Sequence, residues 1–523
     1  MMTCDVLVLG AGIAGCTAAI HAADLGADVV VVCKDRIGEA NTTYAQGGIV
    51  GHAPEACGDS PALLAKDIEA AGGGLCRPEA VALLAEQGPV LCRDFLWKHL
   101  GVAFDVGPDG FPAPTAEAAH SARRIYHVKD ATGRAIQETL TAAIRNHPRI
   151  RLVEERSLVD LVTVPHHCRD PRRVYDPIQV CGAYLLDPAT GQVGMCLAKR
   201  TVLATGGLGY LYLHTSNPPS ATGDGLAAAY RASARIVNCE YMQFHPTTLY
   251  IPHKPRKLLT EALRGEGALL VNRKGERFMA KYAPDQMELA PRHVVSQAIL
   301  LEIAATGDVC MFLDLKPVAQ RMDLESRFPT VTAACRAEGL DPVNQPIPVV
   351  PAAHFFCGGV AVDLDGHSSL PGLFAVGEVS CTGLHGANRL ASTSLLEGLL
   401  WGYRAAEAAV AESRDILRPD PGTFHTWRPV GSPMPPDPVL IEQDWNNIRT
   451  TLWNYAGIVR NNARLDRARG DMGHLYHRLE AFYRSAPVSR SMLELRNGII
   501  CARLILKAAL QNRESRGCHF RLD

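Results

Sequence analysis

A glycine-rich run near the N-terminus has the composition and spacing of a phosphate-binding turn. Six consecutive residues fit G-x-G-x-x-G: Gly10, Ala11, Gly12, Ile13, Ala14 and Gly15. The first glycine permits a tight turn, the second lets the backbone approach a pyrophosphate, and the third lets helix and strand pack closely. The following helix offers backbone amides and the positive end of its dipole to the phosphates. The run therefore predicts a dinucleotide site.

A single arginine among small and apolar residues marks a second candidate site. Arg389 lies in GLHGANRLASTSLLEGLLWG, residues 383 to 402. A solvated arginine normally has polar neighbours, so we expect this one to be enclosed and paired with an anion. Two partners are compatible with the residues alone. One is a carboxylate of the protein in a buried ion pair, and the other is a ligand carboxylate gripped bidentately by the guanidinium.

The elements around the glycine run predict the fold that positions it. Residues 4 to 34 have the pattern of strand, turn, helix and strand, with the helix ending at Gly26. This unit predicts a parallel sheet with a crossover helix. The acidic residue expected at the end of the second strand is missing, and Cys33-Lys34 stand there. We expect Lys34 to contact the ribose or adenine side of the nucleotide instead.

Two further strand–glycine runs decide between NAD and FAD. They cover residues 201 to 209 and 372 to 380. The second run contains Glu378, a carboxylate placed to accept hydrogen bonds from a ribityl chain, which NAD lacks. Ser394 and Glu397 form a capping-box pattern, so a helix is predicted to begin near Ser394 with its amides facing the pyrimidine edge of a flavin. These features together favour FAD.

Composition excludes several classes of function. The chain has 523 residues, 53 Lys+Arg against 54 Asp+Glu, and a formal net charge of -1, which gives no support to nucleic-acid or anionic-membrane binding. Sixteen cysteines occur without any CxxC pair, which favours reduced thiols in the cytoplasm and argues against an iron–sulfur centre. The run 166 to 168, His-His-Cys, has potential metal ligands, but its Pro and Arg neighbours favour a surface loop, so no metal is expected. No apolar run reaches about 18 residues, so no membrane-spanning helix is expected.

The chain divides by composition into a nucleotide-binding part, an insertion and a helical end. The predicted fold class is α/β, a Rossmann-like FAD-binding domain with an inserted α+β capping domain and a C-terminal helical bundle. The predicted ranges are 1–237 and 353–416 for the two parts of the FAD-binding domain, 238–352 for the capping domain, 417–438 for a proline-rich linker and 439–523 for the bundle.

Long segments spread over the chain carry a family resemblance. They include NTTYAQGGI (41 to 49), FHPTTLY (244 to 250), LLTEALRGEGALLVNRKGERFM (258 to 279), HGANRLASTSLLEG (385 to 398) and RESRGCHF (513 to 520). The chain resembles the fumarate reductase/succinate dehydrogenase flavoprotein family and, within it, the L-aspartate oxidases. The resemblance implies FAD, a capping domain that closes a dicarboxylate over the flavin, and a helical C-terminal domain.

The resemblance also implies how the cofactor is held. Asn41 stands where covalent members carry the histidine that attaches FAD, so the flavin is expected to be non-covalent. The cofactor-binding residues it implies, beside the glycine run and Lys34, are Asn41, Thr42, Thr43, Tyr44, Ala45, Gln46, Gly47, Gly48, Leu158, Asp224, Glu378, Ser392, Ser394 and Leu395.

A further set is implied for the substrate and for proton transfer. Glu117 matches the acid that L-aspartate oxidases present to the substrate ammonium. The residues implied to bind the dicarboxylate are Arg389, His245, His354 and Thr260. Arg292 is implied to transfer a proton when fumarate is reduced, with Glu261 and Arg264 as its relay. His293 replaces the usual Asp after that arginine, which puts the supporting network in question.

The implied reaction is oxidation of L-aspartate to iminoaspartate, with hydride transfer to flavin N5 and reoxidation by oxygen or fumarate. The product is implied to pass to quinolinate synthase, in de novo NAD biosynthesis. One alternative is a soluble fumarate reductase or succinate dehydrogenase flavoprotein subunit, against which Asn41 and Glu117 argue. Another is a flavoprotein retained as a non-catalytic binding partner, against which the intact set Arg292, His354 and Arg389 argues.

Overall fold

The computed structural model describes residues 1–51, 58–117, 119–428 and 437–523. Its strands are β1 (Met2–Leu9), β2 (Val29–Val32), β3 (Ile49–Val50), β4 (Ile125–Tyr126), β5 (Ile150–Val153), β6 (Ser157–Val164), β7 (Gln179–Asp187), β8 (Gln192–Leu203), β9 (Ile236–Val237), β10 (Met242–Leu249), β11 (Lys257–Leu258), β12 (Leu269–Val271), β13 (Met311–Asp314), β14 (Ile347–Phe356), β15 (Gly359–Ala361), β16 (Leu373–Ala375), β17 (Ser380–Cys381), β18 (Val459–Arg460) and β19 (Phe520–Arg521).

The α-helices connect and cover these strands. They are α1 (Ile13–Asp24), α2 (Pro61–Ala71), α3 (Pro78–Leu91), α4 (Thr132–Asn146), α5 (Asp224–Arg231), α6 (Ala262–Gly265), α7 (Met279–Tyr282), α8 (Arg292–Thr306), α9 (Lys316–Ala319), α10 (Leu324–Arg327), α11 (Pro329–Arg336), α12 (Ser394–Ser413), α13 (Pro438–Ala456), α14 (Asn462–Ser485) and α15 (Arg490–Gln511). Among the described residues, no helix is both long and apolar enough to cross a membrane.

The largest sheet carries the nucleotide-binding half of the molecule. Its order is β5-β2-β1-β8-β7-β6, and β16 also pairs with β8. Strands β5, β2, β1, β8 and β16 run parallel, while β6, β7 and β8 form an antiparallel meander. The predicted strand–helix–strand unit is confirmed as β1–α1–β2. Because parallel strands present their carboxyl ends at one edge, the glycine turn after β1 and the runs after β8 and β16 meet there.

Helix α12 packs closely against α1 beneath that edge, and glycines make the approach possible. A side chain at Gly402 would place its Cβ 2.5 Å from the Ala14 carbonyl oxygen, and one at Gly398 would lie 3.1 Å from Ile13. The cofactor-facing ends of the two helices are therefore held at short range by backbone packing.

The inserted domain is a five-stranded antiparallel sheet with helices around it. Its order is β11-β10-β14-β13-β12, and its hydrophobic core, which includes Leu270, Phe278 and Ile299, is separate from the core of the large sheet. The expected α+β character is therefore observed. The range 238–352 ends inside one strand, however, because β14 pairs with β10 up to Met242 opposite Phe356.

The C-terminal region consists of α13, α14 and α15, in agreement with the predicted helical bundle. Of the proposed linker, 417–438, residues 429–436 lie outside the described part of the chain. The described residues 417–428 pack against the large sheet: Phe424 is buried beside Cys168, and the Tyr184 hydroxyl donates to the His425 carbonyl at 2.5 Å. Every cysteine among the described residues is free.

Candidate active site

A single elongated cavity of about 250 Å³ runs along the edge of the large sheet and under the inserted domain. At one end, Gly10 has φ +114°, and a Cβ there would lie 2.1 Å from the Ala204 carbonyl oxygen. A Cβ on Gly15 would lie 2.0 Å from the Gly10 oxygen, so both positions require glycine. Gly12 is the N-cap of α1 and adds no side-chain cap, although the first helix amide, that of Ile13, donates to the Thr42 hydroxyl at 3.1 Å.

Lys34 lines this end of the cavity, but its ammonium is engaged by the protein. The Lys34 Nζ lies 2.7 Å from both the Ser220 carbonyl oxygen and Asp224, and 2.9 Å from Glu494. Burial opposes ionisation of Asp224, yet Lys34 holds the pKa of this carboxyl below its ordinary value. Direct contact of Lys34 with ribose or adenine therefore stays a prediction, while its ion pairs with Asp224 and Glu494 are observed.

The middle of the cavity has polar atoms that suit a polar ligand. Glu378 accepts hydrogen bonds from the Asn41 side-chain amide at 3.2 Å and from the Phe356 backbone amide at 2.9 Å, and its burial raises the pKa to about 7. The Gln46 Oε1 and Thr205 Oγ1 atoms also line the cavity, buried and without a hydrogen-bond partner among the described residues. A flavin dinucleotide, with its pyrophosphate at the glycine turn and its ribityl hydroxyls near Glu378, fits this set.

Arg389 lies at the other end of the cavity and has no carboxylate partner among the described residues. Its side chain is 4% exposed, and its guanidinium lies 4.5 Å from the centre of the Phe355 ring. The Nη1 atom donates to the Ser394 hydroxyl at 3.0 Å, and the buried Nε finds no partner. Burial, and then the charge of Arg292, lower the pKa of Arg389 to about 10. The alternative of a structural ion pair is therefore not observed within the described chain.

The predicted capping box at the start of α12 is wrong, although the helix does begin at Ser394. Thr393 is the N-cap, without a side-chain hydrogen bond. The Ser394 hydroxyl accepts from Arg389, and Glu397 instead accepts from the Thr382 hydroxyl at 2.6 Å and from His385 Nε2 at 2.9 Å. Ser394 and Glu397 therefore both make tertiary contacts instead of capping the helix.

A chain of buried charges extends behind the substrate end. Arg292 is the first residue of α8, and its Nε donates to Glu261 at 2.6 Å. The other Glu261 oxygen lies 3.0 Å from Arg264 Nη2. Burial opposes the charge on Glu261, but Arg292 and Arg264 together lower its pKa to about 2. The predicted relay residues are thus in direct contact, with Glu261 between two guanidinium groups.

Two histidines face each other on neighbouring strands beside Arg292. His245 on β10 and His354 on β14 have ring centres 5.2 Å apart. The His354 Nδ1 lies 2.8 Å from the Ser216 hydroxyl, and the His245 Nδ1 lies 3.1 Å from the Thr247 carbonyl oxygen. Burial, reinforced by Arg292, lowers the pKa of both rings well below the ordinary value. Both are therefore neutral near pH 7, and the positive charge of the site comes from its arginines.

Glu117 lies on the wall between the cofactor and substrate ends. Its carboxylate accepts a short hydrogen bond from the Ser392 hydroxyl, which itself accepts from the Gly48 amide at 3.3 Å. Burial, and then the charge of Glu261, raise the pKa of Glu117. His293, the residue in place of an expected Asp, has a buried Nδ1 without a partner among the described residues, and burial lowers its pKa to about 4.

Most of the predicted site residues line the one cavity, and a few stand behind it. Lining residues include Leu158, Thr260 and Leu395, together with 41–48 except Thr43. Thr43 instead donates to the Gly38 carbonyl, while Gly15 lies behind the glycine turn and Arg264 lies behind Glu261.

Gln243 was missed by the sequence reasoning, although its place in the chain pointed to it. Its amide oxygen accepts from Arg292 Nη1 at 3.1 Å. The amide nitrogen donates to Asn388 Oδ1 at 2.9 Å and to the Arg389 carbonyl at 2.8 Å. Gln243 stands two residues before His245, the spacing that puts side chains on one face of a strand. It therefore fixes the two site arginines relative to each other.

The end of the chain supports the loop that carries Arg389. The Cys518 amide donates to the Ala387 carbonyl at 2.9 Å, and its thiol lies 3.3 Å from Asn388 Oδ1. A side chain at Gly517 would place its Cβ 2.5 Å from the Ala387 oxygen. The segment RESRGCHF is one of those that carry the family resemblance, and it thus supports the 387–389 loop by direct contact.

Known proteins of one family resemble this chain over nearly its whole length. Family models described as FAD binding domain and as fumarate reductase flavoprotein C-term match residues 5–395 and 445–523. An L-aspartate oxidase from Halobacterium salinarum is 44% identical over 527 residues, covering 100% of this chain and 97% of that protein. One from Pseudomonas aeruginosa is 41% identical over 536 residues, covering 99% and 95%.

Solved structures also match this chain over nearly its whole length. A quinol fumarate reductase from E. coli superposes with a TM-score of 0.88 at 27% identity, covering 100% of this chain and 92% of that one. Mycobacterium smegmatis Sdh1 superposes with a TM-score of 0.82 at 30% identity, covering 99% and 89%. The predicted FAD cofactor and the predicted fold class are confirmed by these matches.

Proposed function

Because the chain belongs to the L-aspartate oxidase family of FAD-dependent flavoproteins, we propose that it oxidises L-aspartate to iminoaspartate in the cavity described above. The observation that carries the proposal is the buried Arg389 guanidinium, which lacks a carboxylate partner among the described residues and faces the same cavity as Arg292 and Glu117. A small dicarboxylate with an amine supplies the missing charges.

The charges at this end favour a ligand with two carboxylates. An uncompensated buried charge costs several kcal/mol. Arg292 shares Glu261 with Arg264, and Arg389 has no carboxylate partner among the described residues, so the positive charge exceeds what Glu261 compensates and a dianion stabilises the site. Arg389 suits a bidentate grip on one carboxylate, and the neutral rings of His245 and His354 offer further hydrogen bonds without repelling the arginines. Thr260, buried at the cavity wall, adds a hydroxyl.

Glu117 gives the proposed specificity for an amino acid. A carboxylate beside the substrate Cα pairs with an ammonium group, which succinate and fumarate lack. In the oxidation, a hydride leaves Cα and the ammonium loses one proton, which gives the iminium form of the product. Glu117 lines the cavity and is placed to receive that proton, and burial, by raising its pKa, makes it a stronger base. FAD, when bound, supplies the hydride acceptor at N5, and the protein supplies orientation and exclusion of water.

Arg292, Glu261 and Arg264 are proposed to act in the reverse direction, when fumarate is the electron acceptor. Glu261 holds Arg292 by a 2.6 Å hydrogen bond and contacts Arg264 on its other oxygen. This contiguous set is suited to return a proton to Arg292 after Arg292 donates one to fumarate. Oxygen is the alternative acceptor, and the product is proposed to pass to quinolinate synthase as the first step of de novo NAD biosynthesis.

A flavoprotein subunit of the fumarate reductase or succinate dehydrogenase type is the second candidate, and the structural neighbours favour it. Asn41 distinguishes the two, because it occupies the position implied for the covalent histidine and donates to Glu378 instead. A third possibility, a non-catalytic binding protein, requires that the buried Arg389 has been kept without a ligand to compensate it.

One experiment separates these functions. The purified FAD-loaded protein is mixed anaerobically with L-aspartate, D-aspartate or succinate, and flavin bleaching is followed. Bleaching by L-aspartate alone is the expected result. Bleaching by succinate alone would establish the second candidate, and no bleaching with FAD bound would establish the third. Acid precipitation should leave the yellow flavin in the supernatant, and flavin in the pellet would contradict the non-covalent assignment.

A further inference from the structure

A second, smaller cavity adjoins the active-site cavity at the seam between the two domains. It has a volume of about 20 Å³ and lies between segment 115–130 of the nucleotide-binding domain and residues 327–328 of the inserted domain. Gly47, Glu117 and Thr260 line both cavities. Thr260 is buried at the inner end, whereas Lys129 is exposed at the outer end. The seam therefore leads from solvent towards the substrate end of the cleft.

The outer part of the seam carries positive charge from both domains. Lys129 comes from the nucleotide-binding domain and Arg327 from the inserted domain, and neither forms an ion pair with any described residue. Two carboxylates also line the seam, and both are engaged: Asp130 accepts from the first turn of α11, and Glu117 accepts from the Ser392 hydroxyl. Asp105 accepts from the Lys129 backbone amide at 2.8 Å and from His127 Nδ1 at 2.9 Å. The two cations are thus free to attract an anion.

Asp130 joins the two domains at the same place. Its side chain is 1% exposed, and its carboxylate accepts from the Thr330 amide at 2.9 Å, the Thr330 hydroxyl at 2.9 Å and the Val331 amide at 3.1 Å. These are the first-turn amides of α11, whose own N-cap, Phe328, provides no side-chain hydrogen bond. A helix of the inserted domain is therefore capped by a carboxylate of the other domain.

We propose that this seam is the entrance for the dicarboxylate substrate, with Lys129 and Arg327 attracting it and Asp130 fastening the inserted domain once it has passed. The inference rests on the proposed function, because it takes the ligand to be a small dicarboxylate. An inserted domain that closes over a substrate must separate somewhere along its border. At this border a small cavity adjoins the active site, and three hydrogen bonds to Asp130 hold the two domains together.

The charge part of the proposal is tested by the association rate of succinate, followed by the absorbance of the bound flavin. In Lys129→Gln and Arg327→Gln, the rate constant should fall about fivefold at low ionic strength and approach the unsubstituted value near 1 M salt, where screening is nearly complete. The dissociation rate should not change. Lys274→Gln is the matched control, since this exposed lysine lines neither cavity.

The fastening part is tested by the dissociation rate of the same ligand. Asp130→Asn weakens the cap from one domain, and Thr330→Val removes the hydroxyl from the other. Each should speed succinate release about fivefold, and the double variant should show less than the sum of the two effects, because both remove one contact. Asp323→Asn is the control, since Asp323 caps α10 by accepting from the Glu325 amide within the inserted domain.

The outcomes separate this inference from the proposed function. Association rates in Lys129→Gln and Arg327→Gln that match Lys274→Gln at low salt would overturn the entrance. Release rates in Asp130→Asn and Thr330→Val that match Asp323→Asn would overturn the fastening. Neither measurement needs L-aspartate oxidation, so a protein that binds succinate by this route without bleaching on L-aspartate would contradict only the proposed function.

Discussion

Two cations, one partly buried and one buried, stand at opposite ends of the same cavity, and their partners differ. At the nucleotide end, Lys34 is surrounded by two carboxylates, Asp224 and Glu494, and by carbonyl and hydroxyl oxygens. At the substrate end, Arg389 has one serine hydroxyl and one aromatic ring, and its Nε has no partner among the described residues. One cation is neutralised by the fold, and the other is left for a ligand to neutralise.

This difference separates stability from function. A buried ion that the protein itself pairs holds the structure together, and removing one partner is costly because the other stays buried and charged. A buried ion without a partner destabilises the free protein, and the free energy is recovered when an anion binds. The same physical rule therefore predicts opposite effects for substitutions at the two ends of the cavity.

The largest effect on turnover is expected for Arg389→Leu. Loss of the carboxylate grip should lower kcat/KM for L-aspartate on the order of 10³-fold, because a buried hydrogen-bonded charge pair is lost. Thermal stability should stay the same or rise, since an unpaired buried charge has been removed. Steady-state kinetics and a melting curve on the FAD-loaded variant measure both quantities. Normal turnover would contradict the assignment of Arg389 as the cation that binds the substrate carboxylate.

Lys34→Met should give the opposite pattern. It leaves the partly buried Asp224 without a cationic partner among the described residues, so the free energy of unfolding should fall by about 3 kcal/mol. The protein that retains FAD should turn over L-aspartate at close to the usual kcat, because Lys34 is remote from Arg389. Urea denaturation gives the stability, and kcat per bound flavin gives the activity. A variant with unchanged stability and impaired kcat would show that Lys34 contributes to turnover rather than to stability.

Glu117→Gln tests whether the substrate end recognises the ammonium group of the ligand as well as its carboxylates. The amide cannot balance the substrate ammonium, so L-aspartate oxidation should fall about 10²-fold, while fumarate reduction with a chemical reductant should stay within about threefold. The ratio of the two activities is the measurement. Equal losses in both directions would mean that Glu117 serves the flavin or the fold rather than the amine.

Glu378→Gln is expected to have the smallest effect, and its sign depends on pH. The folded pKa of about 7 lies above the ordinary value, so Glu378 favours stability below pH 4.5 and loses that contribution as pH rises through 7. The apoprotein of the variant should therefore be more stable than the unsubstituted apoprotein by about 1–2 kcal/mol at pH 8.5, with no difference at pH 4.5. Urea denaturation at the two pH values tests this, and the reverse sign would contradict a raised pKa for Glu378.

Local sequence patterns predicted the nucleotide end well because its parts are contiguous. The turn, the start of α1 and β2 all lie within residues 9 to 34, and their glycines are required by backbone contacts a few residues away. The parallel sheet follows from the same short unit. The boundary at 352/353 stays a prediction. It falls within β14, which begins in the inserted domain and ends beside the cavity, and no change in composition marks such a crossing.

The substrate end depended far more on the family resemblance, because its partners are remote in sequence. Glu117 and Ser392 are 275 residues apart, and Arg292 and Gln243 are 49 apart. The capping box at Ser394 failed for the same reason: Glu397 is held by Thr382 and His385, which a four-residue pattern does not include. Single residues were identifiable, but their hydrogen-bond partners were not.

Cys518 contacts Asn388, 130 positions earlier in the sequence, and so supports the loop that carries Arg389. Any side chain at Gly517 would push against Ala387 in the same loop, because its Cβ would lie 2.5 Å from the Ala387 oxygen. A substitution there should loosen the grip on the substrate without disturbing coenzyme uptake. The resulting protein should be yellow but slow.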